Sequence, residues 1–65
     1  MIGHGYISSI GDGRARVASL DIPGHVTPPL VVPGSIAASA PQPGALVIYA
    51  EFGDGSGAVL AVMEE

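Results

Sequence analysis

Glycine or proline interrupts this chain every few residues, and that punctuation excludes a helix of ordinary length. The 65 residues include 10 glycines and 6 prolines. β-Branched residues fill the gaps between them, so the chain reads as short strands joined by turns. The first strand runs Tyr6 to Ile10, with a start as early as Ile2, and the second runs Arg14 to Ile22. Between them Gly11-Asp12-Gly13 is a hairpin signal, because glycine takes positive φ without steric cost. Pro23-Gly24 ends the second strand, and Pro28-Pro29 leads an extended segment into Leu30-Val31-Val32. Ile36 to Ala40 is a weak fourth element made mostly of small residues. Pro41-Gln42-Pro43-Gly44 then turns the chain into its strongest strand, Ala45 to Phe52. Gly53-Asp54-Gly55-Ser56-Gly57 turns it back into Ala58 to Met63. The predicted turn formers are Gly11, Asp12, Gly13, Gly53, Asp54, Gly55 and Gly57. The predicted fold is all-β, a small five-stranded antiparallel barrel in one domain over residues 1–65, closed so that little strand edge stays free.

The pattern of alternation separates the two hairpins. Arg14, Arg16 and Ala18 share one face of their strand while Ala15 and Val17 share the other, a half-buried pattern. In the last hairpin both faces are apolar. Leu46, Ile48, Ala50 and Phe52 line one side of its first strand, and Val47 and Tyr49 the other. Ala58, Leu60 and Val62 oppose Val59, Ala61 and Met63 in the same way. A strand apolar on both faces is normally buried on both. A chain this short has little polypeptide to cover its own outside, and with no cysteine it has no disulfide to staple a small core. A neighbouring copy is the expected cover, and Val47, Tyr49, Val59, Ala61 and Met63 are the expected contact.

Charge excludes several classes of partner. The net charge is −4, with two Lys/Arg residues in total, both arginine. Phosphate binding draws its affinity from cations that displace counterions, so nucleic acid is not an expected partner. Tyr6, Tyr49 and Phe52 are too few for a base-stacking platform. An apolar run such as Ala45 to Ala50, which none in the chain exceeds, falls far short of the ~20 residues a membrane-spanning helix needs. Met1 to Gly5 shows neither the basic segment nor the apolar stretch of an export signal.

No constellation for catalysis is visible. His4 and His25 are the only imidazoles, and neither lies in a metal-ligand spacing with Asp12, Asp21 or Asp54. Convergence of one histidine per chain on the axis of a cyclic oligomer is the remaining route to a metal site. Asp12 and Asp54 sit in glycine turns, where the carboxylate bonds nearby amides. The Gly53–Gly57 segment lacks the lysine and the following helix of a phosphate loop, and it lacks the acidic series of a calcium loop. No serine is flanked as in a nucleophile elbow. The expectation is a protein that is not an enzyme and carries no cofactor. Arg14 and Arg16 have Asp21, Glu51 and the terminal Glu64-Glu65 as candidate ion-pair partners.

Three blocks, in order, carry a family resemblance. Gly5-Tyr6-Ile7, leading through Asp12-Gly13-Arg14-Ala15-Arg16-Val17, resembles an opening hairpin whose second strand reads "G-R-x-R-V". Pro41-Gln42-Pro43-Gly44-Ala45-Leu46-Val47-Ile48-Tyr49 resembles a "P-x-x-G-x-x-V-x-V" strand. Gly53-Asp54-Gly55-Ser56-Gly57-Ala58-Val59-Leu60 resembles a "G-D-x-S-x-G-V-V-L" closing hairpin. Together they are similar to the oligonucleotide/oligosaccharide-binding (OB) barrel at the base of tailed-phage baseplate spike proteins, over roughly residues 5 to 62. The resemblance implies a homotrimer around a threefold axis, joined to other tail proteins, with no catalysis and no nucleic-acid binding. It implies a virion location, with assembly in the host cytoplasm. The β-helical needle and metal-binding apex of such spikes have no counterpart in these residues, so a spike-base or adaptor subunit is the expected role. A virion decoration or head-to-tail joining protein is the alternative. A small assembly chaperone or partner-binding barrel is a further one, although the reactive N-terminal cysteine such chaperones use is lacking.

Overall fold

The computed structural model describes residues 1–63. Five strands close into one barrel: β1 (Ile2–Gly11), β2 (Arg14–Ser19), β3 (Leu30–Val31), β4 (Leu46–Glu51) and β5 (Gly57–Val62). Their order around the barrel is β1-β2-β3-β5-β4, with β4 returning to β1. This is the small all-β barrel expected from the punctuation, and it is consistent with the five-stranded OB-like fold that the resemblance implies. One seam departs from the antiparallel expectation, because β3 meets β5 in parallel through a single pair, Val31 opposite Ala58.

Local turn chemistry accounts for the hairpins. At the β1–β2 tip Asp12 and Gly13 both take positive φ, 54° and 74°, the geometry that matches strand twist in a two-residue turn. Gly11 is the last residue of β1 and pairs with Arg14, so it belongs to the strand rather than to the turn. Gly57 likewise opens β5 opposite Glu51. Between them Gly55 takes φ 87°, and the Asp54 carboxylate accepts from the Ser56 amide at 3.0 Å and its hydroxyl at 2.5 Å. The β2 strand is shorter than its apolar run suggests. After Ser19 the chain bends, because the Ser19 hydroxyl accepts from the amides of Asp21 and Ile22.

The weak fourth element is one helical turn, α1 (Gly34–Ala37). The Pro33 carbonyl accepts from Ile36 and Ala37, and small residues with little β preference follow. Ile36 packs against the barrel core beside the short β3–β5 seam.

The core consists of Ile7, Ala15, Val17, Leu30, Val32, Val47, Tyr49 and Val59. Thr27 is the buried polar residue among them, and its hydroxyl accepts from the Val17 amide at 3.0 Å. The barrel exposes 3781 Å². That is about what an ordinary folded monomer of this size exposes. The chain therefore closes its own core, and its apolar excess is a matter of where the remaining hydrophobic side chains lie.

Candidate interaction surface

The β4–β5 hairpin does not present the face expected from its sequence. Val47, Tyr49 and Val59 are each fully buried inside the barrel, so none of them is available to a neighbouring copy. Both faces of β4 are apolar, and alternation alone does not say which turns inward. Closure selects the face carrying Tyr49, the largest buried side chain, to fill the centre. Ala50 is also buried, flanked by Ile2 on β1 and Ala58 on β5.

A bulge then breaks the strict alternation of β5. Ile48 pairs with Ala61 and Tyr49 with Val59, which leaves Leu60 as the extra residue on its strand. The phase shifts at that point. Val59 points inward before it, and after it Val62, not Ala61, packs against the core. Ala61 is half-buried, and Leu60 and Met63 are exposed.

One group of outward apolar side chains lies where β1 begins and β4 ends. Ile2 pairs with Ala50, and the Glu51 amide donates to the Met1 carbonyl, so Met1 and Ile2 lie beside Glu51 and Phe52. Ile2 and Phe52 are 65% and 59% exposed. Met1, Ile22, Glu51 and Phe52 line one shallow hollow of about 310 Å³. Ile2, His4, Asp21, Ile48 and Met63 line a second of about 390 Å³.

Both histidines sit among these groups, each paired with a carboxylate. His4 Nδ1 lies 3.0 Å from Asp21 Oδ2, and the His4 amide donates to the same oxygen at 2.7 Å. His25 Nε2 lies 3.0 Å from Glu51 Oε1. The two pairs fasten the segment from Leu20 to His25 onto β1 and β4, and the Leu20 amide adds a bond to the His4 carbonyl. These partners come from sequence positions 17 and 26 residues apart, which no local motif signals. Among the described residues no group of three or more His, Cys, Asp or Glu side chains gathers to hold a metal ion.

Arg14 and Arg16 make no ion pair among the described residues. The expected partners Asp21 and Glu51 are engaged by the histidines, and Glu64 and Glu65 lie outside the described residues.

The His4 contacts set the acid response of this corner. The His4 amide, opposed by partial desolvation and helped by the imidazole, holds the Asp21 carboxyl below its ordinary value of 3.8. A carboxyl depressed in the folded state stabilises the fold above its unfolded pKa and loses that contribution as pH falls through the folded value. The Asp54 carboxyl is also held low, first by the Ser56 hydroxyl and then by the Ser56 amide. Thermal melts of Asp21→Asn and the parent chain are therefore expected to differ near neutrality and to converge below pH 3.8. A difference that persists unchanged in acid contradicts this assignment.

Comparison with protein-family models, curated proteins and solved structures finds no match to this chain. Among the described residues no helix is long and apolar enough to cross a membrane.

Proposed function

We propose that this chain is a self-assembling structural subunit of a phage tail, serving as the base or adaptor of a baseplate spike. The observation that carries the reading is the cluster of Ile2, Ile22, Phe52 and Met63, exposed around two shallow hollows on a barrel that has already closed its own core. Scattered exposed apolar side chains are ordinary on a soluble protein, but a contiguous group is a signature of a contact surface. The order of the three resembling blocks adds support, since they fall on the β1–β2 hairpin, on β4 and on the β4–β5 hairpin. The mechanism is packing. Copies cover one another's apolar corner, with three barrels around one axis, and other tail proteins hold the trimer. No step of this role calls for a reacting group or a cofactor.

Native mass spectrometry of the purified chain tests the reading. A trimer is the expected species, and a folded monomer at every concentration contradicts it.

A further inference from the structure

We propose that the hollow beside Arg14 and Arg16 is a docking site for an acidic peptide segment of a partner protein. The hollow measures about 380 Å³ and is lined by Ser9, Ile10, Asp12, Arg14, Arg16 and Pro29, among others. It lies against the β1–β2 turn and the outward side of β2. Arg14 and Arg16 are the only Lys or Arg residues of a chain with net charge −4. Both are exposed, and both are without an ion-pair partner among the described residues, whereas Asp21 and Glu51 are each engaged by a histidine.

The arrangement matches carboxylates on an extended chain. Arg14 and Arg16 occupy alternate positions of one strand, so they project from the same face roughly 7 Å apart. An extended peptide presents its own alternate side chains at that same spacing. Each guanidinium offers a planar fork that takes a carboxylate through two hydrogen bonds. Ser9, in register with Arg16, adds a hydroxyl at the rim, and Ile10 and Pro29 supply apolar walls for the stems of the incoming side chains.

Nucleic acid fits the same hollow less well. No aromatic residue lines it for stacking, and two cations displace few counterions, whereas two guanidinium forks suffice for two carboxylates. The site is separate from the apolar corner at Ile2 and Phe52, so it operates whether the barrel is a monomer or a trimer.

Amide-resolved NMR titration of the full chain with a glutamate-rich peptide tests the proposal, with oligothymidylate as the comparison ligand. Shifts are expected from Ser9 to Val17 and at Leu30. Arg14→Gln/Arg16→Gln is expected to weaken peptide binding at least about 10-fold while leaving the other amide positions in place, since both side chains are exposed. Raising salt to ~0.15 M is expected to weaken it further. The proposal fails if millimolar peptide shifts nothing in this region or if the double variant binds equally well. Tighter binding of oligothymidylate than of peptide also overturns it and makes the hollow a nucleic-acid site. Native mass recorded on the same samples separates this outcome from the assembly reading, because peptide binding does not require a trimer.

Discussion

Tyr49→Ala is expected to abolish cooperative folding, whereas Tyr49→Phe is expected to preserve it. Tyr49 is the largest of the fully buried side chains and fills the barrel beside Val47, Val59 and Leu30. Truncating a buried aromatic costs about 3–5 kcal/mol. A domain of this length has only about 3–10 kcal/mol of stability in total. The hydroxyl behaves differently from the ring. It is buried and has no hydrogen-bond partner among the described residues, so removing it sheds a desolvated polar group. Denaturant melts of the two variants check both halves. If Tyr49 sat at a subunit contact instead, Tyr49→Ala would dissociate an oligomer and leave the monomer folded, an outcome circular dichroism and sedimentation would distinguish.

Gly5→Ala is expected to be nearly as damaging, although it adds one methyl group. Gly5 lies on β1 between β2 and β4, where it pairs with Ser19 on one side and Val47 on the other. A Cβ there would collide with the Ala18 carbonyl oxygen, a backbone atom that cannot swing away, and would press on the Val17 side chain. Relief requires β1 and β2 to separate, and their pairing is part of barrel closure. A loss of several kcal/mol, on the scale of severe overpacking, is the expected result. Gly53→Ala is the matched control. Beyond its two chain neighbours no atom lies within 4 Å of the position its added methyl group would take, and its φ is not positive, so its melt is expected to stay close to that of the parent. Equal melts for Gly5→Ala and Gly53→Ala would refute the close β1–β2 approach.

What was legible in the amino-acid sequence is what local chemistry controls. Gly-Asp-Gly at 11–13 announced a tight turn because few other residues accept the positive φ found at Asp12 and Gly13. The strands emerged because β-branched runs between glycines have few alternatives. The strand ends moved where a side chain took over the backbone, as at Ser19, whose hydroxyl captures two amides and ends β2.

The interior assignments were not legible, for a geometric reason. Leu46 and Ile48 are as apolar as Val47 and Tyr49, so period-two alternation defines two faces without naming the buried one. The bulge at Leu60 then shifts the phase of β5, and nothing in Ala58-Val59-Leu60-Ala61-Val62 marks it. The candidate contact consequently lies not at Val47, Tyr49 and Val59 but at the two hollows lined by Ile2 and Met63 and by Ile22 and Phe52. The His4–Asp21 and His25–Glu51 pairs were hidden for a related reason, since only the closed barrel brings them together. Gly5 carried no sign of its crowding either, because the atoms it would meet belong to β2.

The proposal that further copies cover this apolar corner is tested most directly by sedimentation velocity of the parent chain beside Ile2→Ser/Phe52→Ser. Both side chains are exposed on the single barrel, so the double variant is expected to fold. A trimer is expected for the parent and a folded monomer for the variant. A parent chain that sediments as a monomer at all concentrations, or a double variant that stays trimeric, would contradict it.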